Sequence, residues 1–141
     1  MTQKNKHIFV FGIFAVDLSF YVDKKVKPGE TIIAKSSKIG PGGKASNQAI
    51  SARKLGASTT LITRLGNDNF NSYAHDIWRR EKLFASTTID KNLPTGMAGI
   101  FIDDKTGENS VIVDPGASAQ LSIDDFYSQK SKMKKGDIFL T

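Results

Sequence analysis

Between Lys38 and Gly56 the chain reads KIGPGGKASNQAISARKLG, and the fold turns on how that stretch is parsed. Gly40-Pro41-Gly42-Gly43 has the composition of a loop. It opens an amphipathic segment, about 44–55, in which Ala45, Ala49, Ile50 and Ala52 recur at helical spacing. Gly56 supplies the left-handed stop. A glycine loop that opens a helix presents unpaired N–H groups outward, so a site for an anion or a polyhydroxyl ligand is expected there. Gly42 and Gly43 lack Cβ atoms and permit close approach. Asn47, in the first turn, both donates and accepts, which suits a ligand whose hydroxyls do the same. The same letters also describe an ordinary glycine-rich helix start with Asn47 on the surface.

Two phosphate-binding patterns fail on this stretch. Lys44 after Gly43 suggests GxxxxGK[ST], but Lys38 stands where the first glycine belongs and Ala45 where the hydroxyl belongs. GxGxxG fails because no third glycine follows at the required spacing.

Upstream, residues 7–14 (HIFVFGIF) form a continuous apolar run and predict a strand buried on both faces. Asp17 lies just past it, where ligands of open α/β sheets bind, and a carboxylate there can accept two sugar-hydroxyl hydrogen bonds. Alone, it reads as an ordinary loop or turn acid. Short extended pieces are expected near 18–22 and 31–38, split by Lys27-Pro28-Gly29-Glu30.

Downstream, residues 58–64 read as a strand and 67–82 as a helix. Asp68 or Asn67 would cap it, with Phe70, Tyr73, Ile77 and Trp78 on one face. Residues 96–103 and 109–114 alternate like half-buried strands around Asp104-Lys105-Thr106-Gly107, a hairpin signal. Ser122-Ile123-Asp124-Asp125 begins a last helix in the style of a capping box, and a strand starts at Asp137. Strands alternating with helices predict an α/β fold with a parallel sheet, the hairpins forming a smaller appended sheet. A buried strand at 137–140 would need neighbours on both edges, so the chain is expected to be the front portion of a longer protein.

The 141 residues suffice for one domain with a core. Cysteine is absent, which removes disulfides, thiolate nucleophiles and Cys-based metal sites; His7 and His75 alone point to no metal centre. The net charge is +6, with lysine supplying 16 of the 20 cations. The dense cluster Lys130, Lys132, Lys134 and Lys135 before Gly136 reads as a cation-rich helix C-terminus with a glycine cap. With only Tyr127 nearby, it lacks the interleaved arginines and aromatics of a nucleic-acid surface. The apolar run 8–16 is too short to span a bilayer and ends without a small-x-small cleavage site. Neither a nucleic-acid nor a membrane partner is expected, and the cytoplasm is the expected location.

Gly42-Gly43-Lys44-Ala45-Ser46-Asn47-Gln48-Ala49, followed by Gly56 and Gly66, resembles the first signature of the ribokinase-like (PfkB) carbohydrate kinase family at every specified position. Supporting segments occur in order: Pro28-Gly29-Glu30-Thr31, Leu65-Gly66-Asn67-Asp68, Pro94-Thr95-Gly96, Gly107-Glu108-Asn109-Ser110 and Pro115-Gly116-Ala117. The similarity covers essentially all 141 residues. It implies a Rossmann-like α/β/α ribokinase-type fold, cut after its front half, with a small β-sheet lid built from about 18–38 and 96–114.

In that family the residues matching Asp17, Gly42, Gly43, Lys44 and Asn47 bind the sugar. Those matching Ala98 and Ile100 close over it, and the lid can mediate a homodimer. The implied reaction transfers the γ-phosphate of ATP, with Mg²⁺ and in many members K⁺, to a hydroxymethyl group of a pentose or related sugar or nucleoside. No residue here is expected to be catalytic, because the segment carrying the catalytic Asp should lie beyond Thr141. Asp68, Asp103, Asp104 and Asp114 sit in turn contexts. The 141-residue chain alone is therefore expected to be inactive, with a non-catalytic sugar-binding or dimerisation module as the alternative. The chain departs from the family at 12–17, where Gly-Ser-Ile-Asn-x-Asp is usual and Gly-Ile-Phe-Ala-Val-Asp stands. Ala15 cannot supply the hydrogen bonds of the amide it replaces.

Overall fold

The computed structural model describes residues 6–134 and 137–141. Eight strands and three helices follow in order: β1 (His7–Phe11), β2 (Ala15–Val22), β3 (Ser36–Gly42), α1 (Lys44–Lys54), β4 (Ser58–Gly66), α2 (Asn69–Arg80), β5 (Phe84–Asp90), β6 (Thr95–Asp103), β7 (Asn109–Gly116), α3 (Ile123–Tyr127) and β8 (Ile138–Leu140). They make two four-stranded sheets.

The first sheet has the order β5-β4-β1-β8 and is parallel throughout. Its central strands β1 and β4 are largely covered on both faces, as parallel strands require, whereas the edge strand β8 leaves Ile138, Phe139 and Leu140 exposed. Val10 and Leu61, in register, pack with Leu65 against Ala45 and Ala49 of α1 and Ala74, Ile77 and Trp78 of α2. The opposite face carries Phe9 and Phe11, which meet Phe139 and Phe126. Asp125 of α3 anchors that side, its carboxylate accepting from Arg64 Nε (2.8 Å) and Thr88 Oγ1 (2.6 Å). Helices therefore flank the sheet on both faces.

The second sheet has the order β3-β2-β6-β7, with β2 and β6 parallel and the outer pairs antiparallel. It joins the first through Asp68, the N-cap of α2. That carboxylate accepts from Thr95 N (2.6 Å) and Thr95 Oγ1 (2.8 Å) as well as Phe70 N and Asn71 N. Gly66 N–H donates to Thr95 Oγ1 (3.0 Å), and a Cβ on Gly66 would meet the 93–95 backbone. The motif segments Leu65–Asp68 and Pro94–Gly96 thus form a junction between sheets.

Several expectations need correction. Gly40-Pro41-Gly42 is not a loop but the end of β3. A proline fits there because β3 is an edge strand, where one N–H can be spared. That strand starts at Ser36, while the β-branched run Thr31-Ile32-Ile33 is irregular and leaves Ile33 95% exposed. The first strand ends at Phe11 rather than Phe14, and β5 was not foreseen. β7 is exposed over almost its whole length instead of half-buried. The last helix keeps its cap, with Ser122 N–H donating to Asp125 (2.8 Å), but it is only five residues long. Lys130 and Lys132 belong to a 3₁₀ turn rather than to a helix C-terminus, and Lys135 and Gly136 lie outside the described residues.

Candidate sugar-binding corner at the start of α1

Asp17 sits in β2 between two strands that carry almost no side chain beside it. Its register partners are Gly40 on β3 and Ala98 on β6. Gly42, two residues beyond Gly40, shares that face, and a Cβ built there would overlap the Asp17 carboxylate. Only glycine leaves room for Asp17 as it stands. The carboxylate is half-buried and accepts no hydrogen bond from the described groups, and burial pushes its pKa up from the ordinary 3.8. A half-buried acid with free acceptor sites is what a hydroxyl-bearing ligand needs.

Gly43 follows as the N-cap of α1 with φ 85°. A side chain at Gly43 would be strained by that backbone and would run into the Ile13 carbonyl and Phe14. The helix starts against the connection between β1 and β2, with Ser46 N–H donating to Ile13 O (3.4 Å). Lys44 and Asn47 are exposed on this first turn. Ile100 lies two residues past Ala98, across from Ser19, on the same face as Asp17. Structure thus brings Asp17, Gly42 and Ala98 together on one face beside the helix start that carries Gly43, Lys44 and Asn47, with Ile100 further along the sheet.

The sequence reading missed Ser46, which is fully buried and accepts from Trp78 Nε1 (3.1 Å), pinning the first turn of α1 to α2. It also missed Ser118, whose single O–H lies within reach of both Phe14 O (3.3 Å) and Arg64 O (3.1 Å) and so holds the crossing from β1 to β2. Ser46 stands inside the Gly42–Ala49 signature, but no letter there shows that it faces Trp78, and Ser118 has no local signature. The other acids weighed from the sequence have partners of their own. Asp103 accepts from Lys105 and Thr106 N–H, Asp114 from Gly116 N–H, and Asp104 pairs with Lys35. Among the described residues no group of three or more His, Asp or Glu is placed to hold a metal ion.

The pfkB family carbohydrate kinase model matches residues 5–141. The chain is 34% identical over 135 residues to a ribokinase from Dictyostelium discoideum, covering 95% of this chain and 42% of that protein. It is 35% identical over 131 residues to a deoxyribokinase from Salmonella typhi, covering 91% and 42%. The structure of ribokinase from Giardia lamblia superposes with a TM-score of 0.82 at 27% identity, over 90% of this chain and 41% of that one. The chain belongs to the pfkB carbohydrate kinase family and has a ribokinase-type α/β fold. It spans about 42% of the length of the curated relatives it matches. Among the described residues no helix is long and apolar enough to cross a membrane.

Proposed function

We propose that the full-length protein transfers the γ-phosphate of ATP to a hydroxymethyl group of a pentose or related sugar, and that this chain carries most of the sugar site. Asp17, Gly42, Gly43, Lys44 and Asn47 hold the sugar, and Ala98 and Ile100 close over it. The observation that carries this reading is the unpaired Asp17 carboxylate held against Gly42, because it leaves free acceptors beside a corner with no obstructing side chains. The catalytic base and the sites for ATP, Mg²⁺ and K⁺ are assigned to the part of the relatives' length that this chain does not span. The 141 residues alone then bind sugar without turning it over, and the reaction is placed in the cytoplasm.

The sugar itself is narrowed by Ala15, which pairs with Gly42, shares the face of Asp17 and is only 3% exposed. A hydroxyl set against that methyl group would lose its partner, at about 1–3 kcal/mol. A deoxypentose therefore suits the corner better than ribose, in keeping with the deoxyribokinase relative.

A second reading rests on β7. Val111, Ile112 and Val113 are 50%, 69% and 53% exposed on an edge strand, which favours a homodimer through the second sheet. A dimer in solution would support a binding or dimerisation module.

Calorimetric titration of the chain with pentoses and then ATP tests the proposal. Sugar heats that vanish in Asp17→Ala, with no ATP heats, are expected. Phosphorylation of a pentose by residues 1–141 would overturn the claim that the catalytic groups lie elsewhere.

A further inference from the structure

The opposite end of the first sheet holds a second polar cleft. His7, Ser58 and Phe84 are the first residues of β1, β4 and β5, whereas Asp17 and Gly43 lie beyond the far end of β1. The cleft measures about 390 Å³ and is lined by these three residues with Arg53, Thr59, Thr60, Lys82 and Lys132. Three basic side chains and the hydroxyls of Ser58 and Thr60 thus border one space with no carboxylate among the lining residues, while Thr59 Oγ1 donates to Ala57 O (3.3 Å). Its rigid parts are already fixed. The His7 ring is held between Ser58 Oγ and Thr60 Oγ1, each at 2.8 Å, and Arg53 donates to Lys82 O (2.9 Å) and Ala57 O (3.3 Å). Lys132 lies over the Phe84 ring at 4.8 Å.

Cations near helix C-termini often do no more than complement the dipole, and the two carbonyl contacts of Arg53 fit that role. Lys82 does not. It follows the C-cap of α2 with φ 53°, alone among the described non-glycine residues in having a positive φ. After α1 the same position is filled by Gly56, at φ 89°. A left-handed position next to a helix end is the place for glycine, and a lysine there strains the backbone. Strained backbone positions cluster at functional sites, and the side chain here lines the cleft. Among the described residues neither Lys82 nor Lys132 is paired with a carboxylate within 4.0 Å.

We propose that this cleft binds a phosphate-type oxyanion, either inorganic phosphate or the phosphate group of a small metabolite. The cations supply charge-assisted hydrogen bonds, and the hydroxyls of Ser58 and Thr60 supply or accept the remainder. Binding here is independent of the sugar corner.

Thermal shift and two-dimensional amide NMR on the 141-residue chain test it, with sodium phosphate compared against sodium chloride at equal ionic strength. Phosphate is expected to raise the melting temperature and to move the amides of Thr59, Lys82 and Phe84. A pentose 5-phosphate arm separates the sources: tighter binding than inorganic phosphate assigns a metabolite, and equal binding assigns the free anion. Lys82→Gly relieves the left-handed strain, so it should melt higher without phosphate yet bind phosphate about tenfold more weakly, the loss of one charge-assisted hydrogen bond. Lys132→Ala should weaken binding similarly. Unchanged phosphate affinity in both variants, shifts at Gly43–Ser46 instead, or no response to phosphate would overturn the proposal.

Discussion

Gly42 and Asp17 are set so closely across the β2–β3 pair that a methyl group on the glycine would occupy the space of the carboxylate. The two are 25 positions apart in sequence, and the antiparallel register that pairs Asp17 with Gly40 is what joins them. The first consequence concerns Gly42→Ala. It should push Asp17 out of place and weaken pentose binding by about 1.5–3 kcal/mol, tenfold or more, with the far-ultraviolet spectrum unchanged. Calorimetry alongside circular dichroism checks both halves.

Asp17 has a pKa raised by burial, so its charge opposes folding at neutral pH, and protonation relieves that cost as pH falls through the raised value. Asp17→Asn should therefore leave the chain at least as stable at pH 7 while reducing sugar affinity. In the native chain sugar binding should fall away on acidification at a pH above 3.8, the ordinary value, as the acceptor is lost. A pH series of titrations and of melting temperatures reads these opposite signs.

Asp68 and Asp125 behave in the reverse sense. Burial alone would raise both, but the hydrogen bonds from Thr95, Asn71 and Phe70 to the first, and from Thr88, Arg64 and Ser122 to the second, bring each below 3.8. A carboxylate with a depressed folded pKa stabilises above its unfolded value, and that stability is lost as pH falls through the folded one. Acid unfolding should accordingly begin below about pH 4. Asp125→Ala, which strands the partly buried Arg64, should cost about 3–5 kcal/mol by urea denaturation.

Ala15 offers a gain-of-contact variant. Ala15→Asn restores an amide beside the sugar corner and should raise the ratio of ribose to deoxyribose affinity about tenfold, the worth of one recovered hydrogen bond to a buried hydroxyl. Overpacking at a position 3% exposed will lower stability, so the ratio, not either affinity alone, is the readout.

Much of the fold was legible because the signals were local. β1 announces itself as an apolar run, α1 and α2 by helical spacing with Gly56 and Asp68 at their ends, and the β6–β7 hairpin by Asp104–Gly107. β5 was missed because FASTTID has few apolar residues and no clean alternation; as an edge strand it pairs only with β4. Gly40-Pro41-Gly42 was misassigned because loop composition and an edge strand needing few N–H donors look alike in letters. At the candidate site each residue type could be picked out, but the Asp17–Gly42 contact and the Ser46–Trp78 hydrogen bond exist only once long-range register is set. The cleft around Lys82 had no local sign at all, since a positive φ at a lysine is a property of the backbone.

The most direct measurement is amide chemical-shift mapping of the 141-residue chain during titration with deoxyribose and ribose. Saturable shifts concentrated at Asp17, Gly42, Gly43, Asn47 and Ala98, and lost in Asp17→Ala, are the expected result. Shifts confined to other surfaces, or none at millimolar sugar with the chain folded, would contradict the claim that these residues form the sugar site.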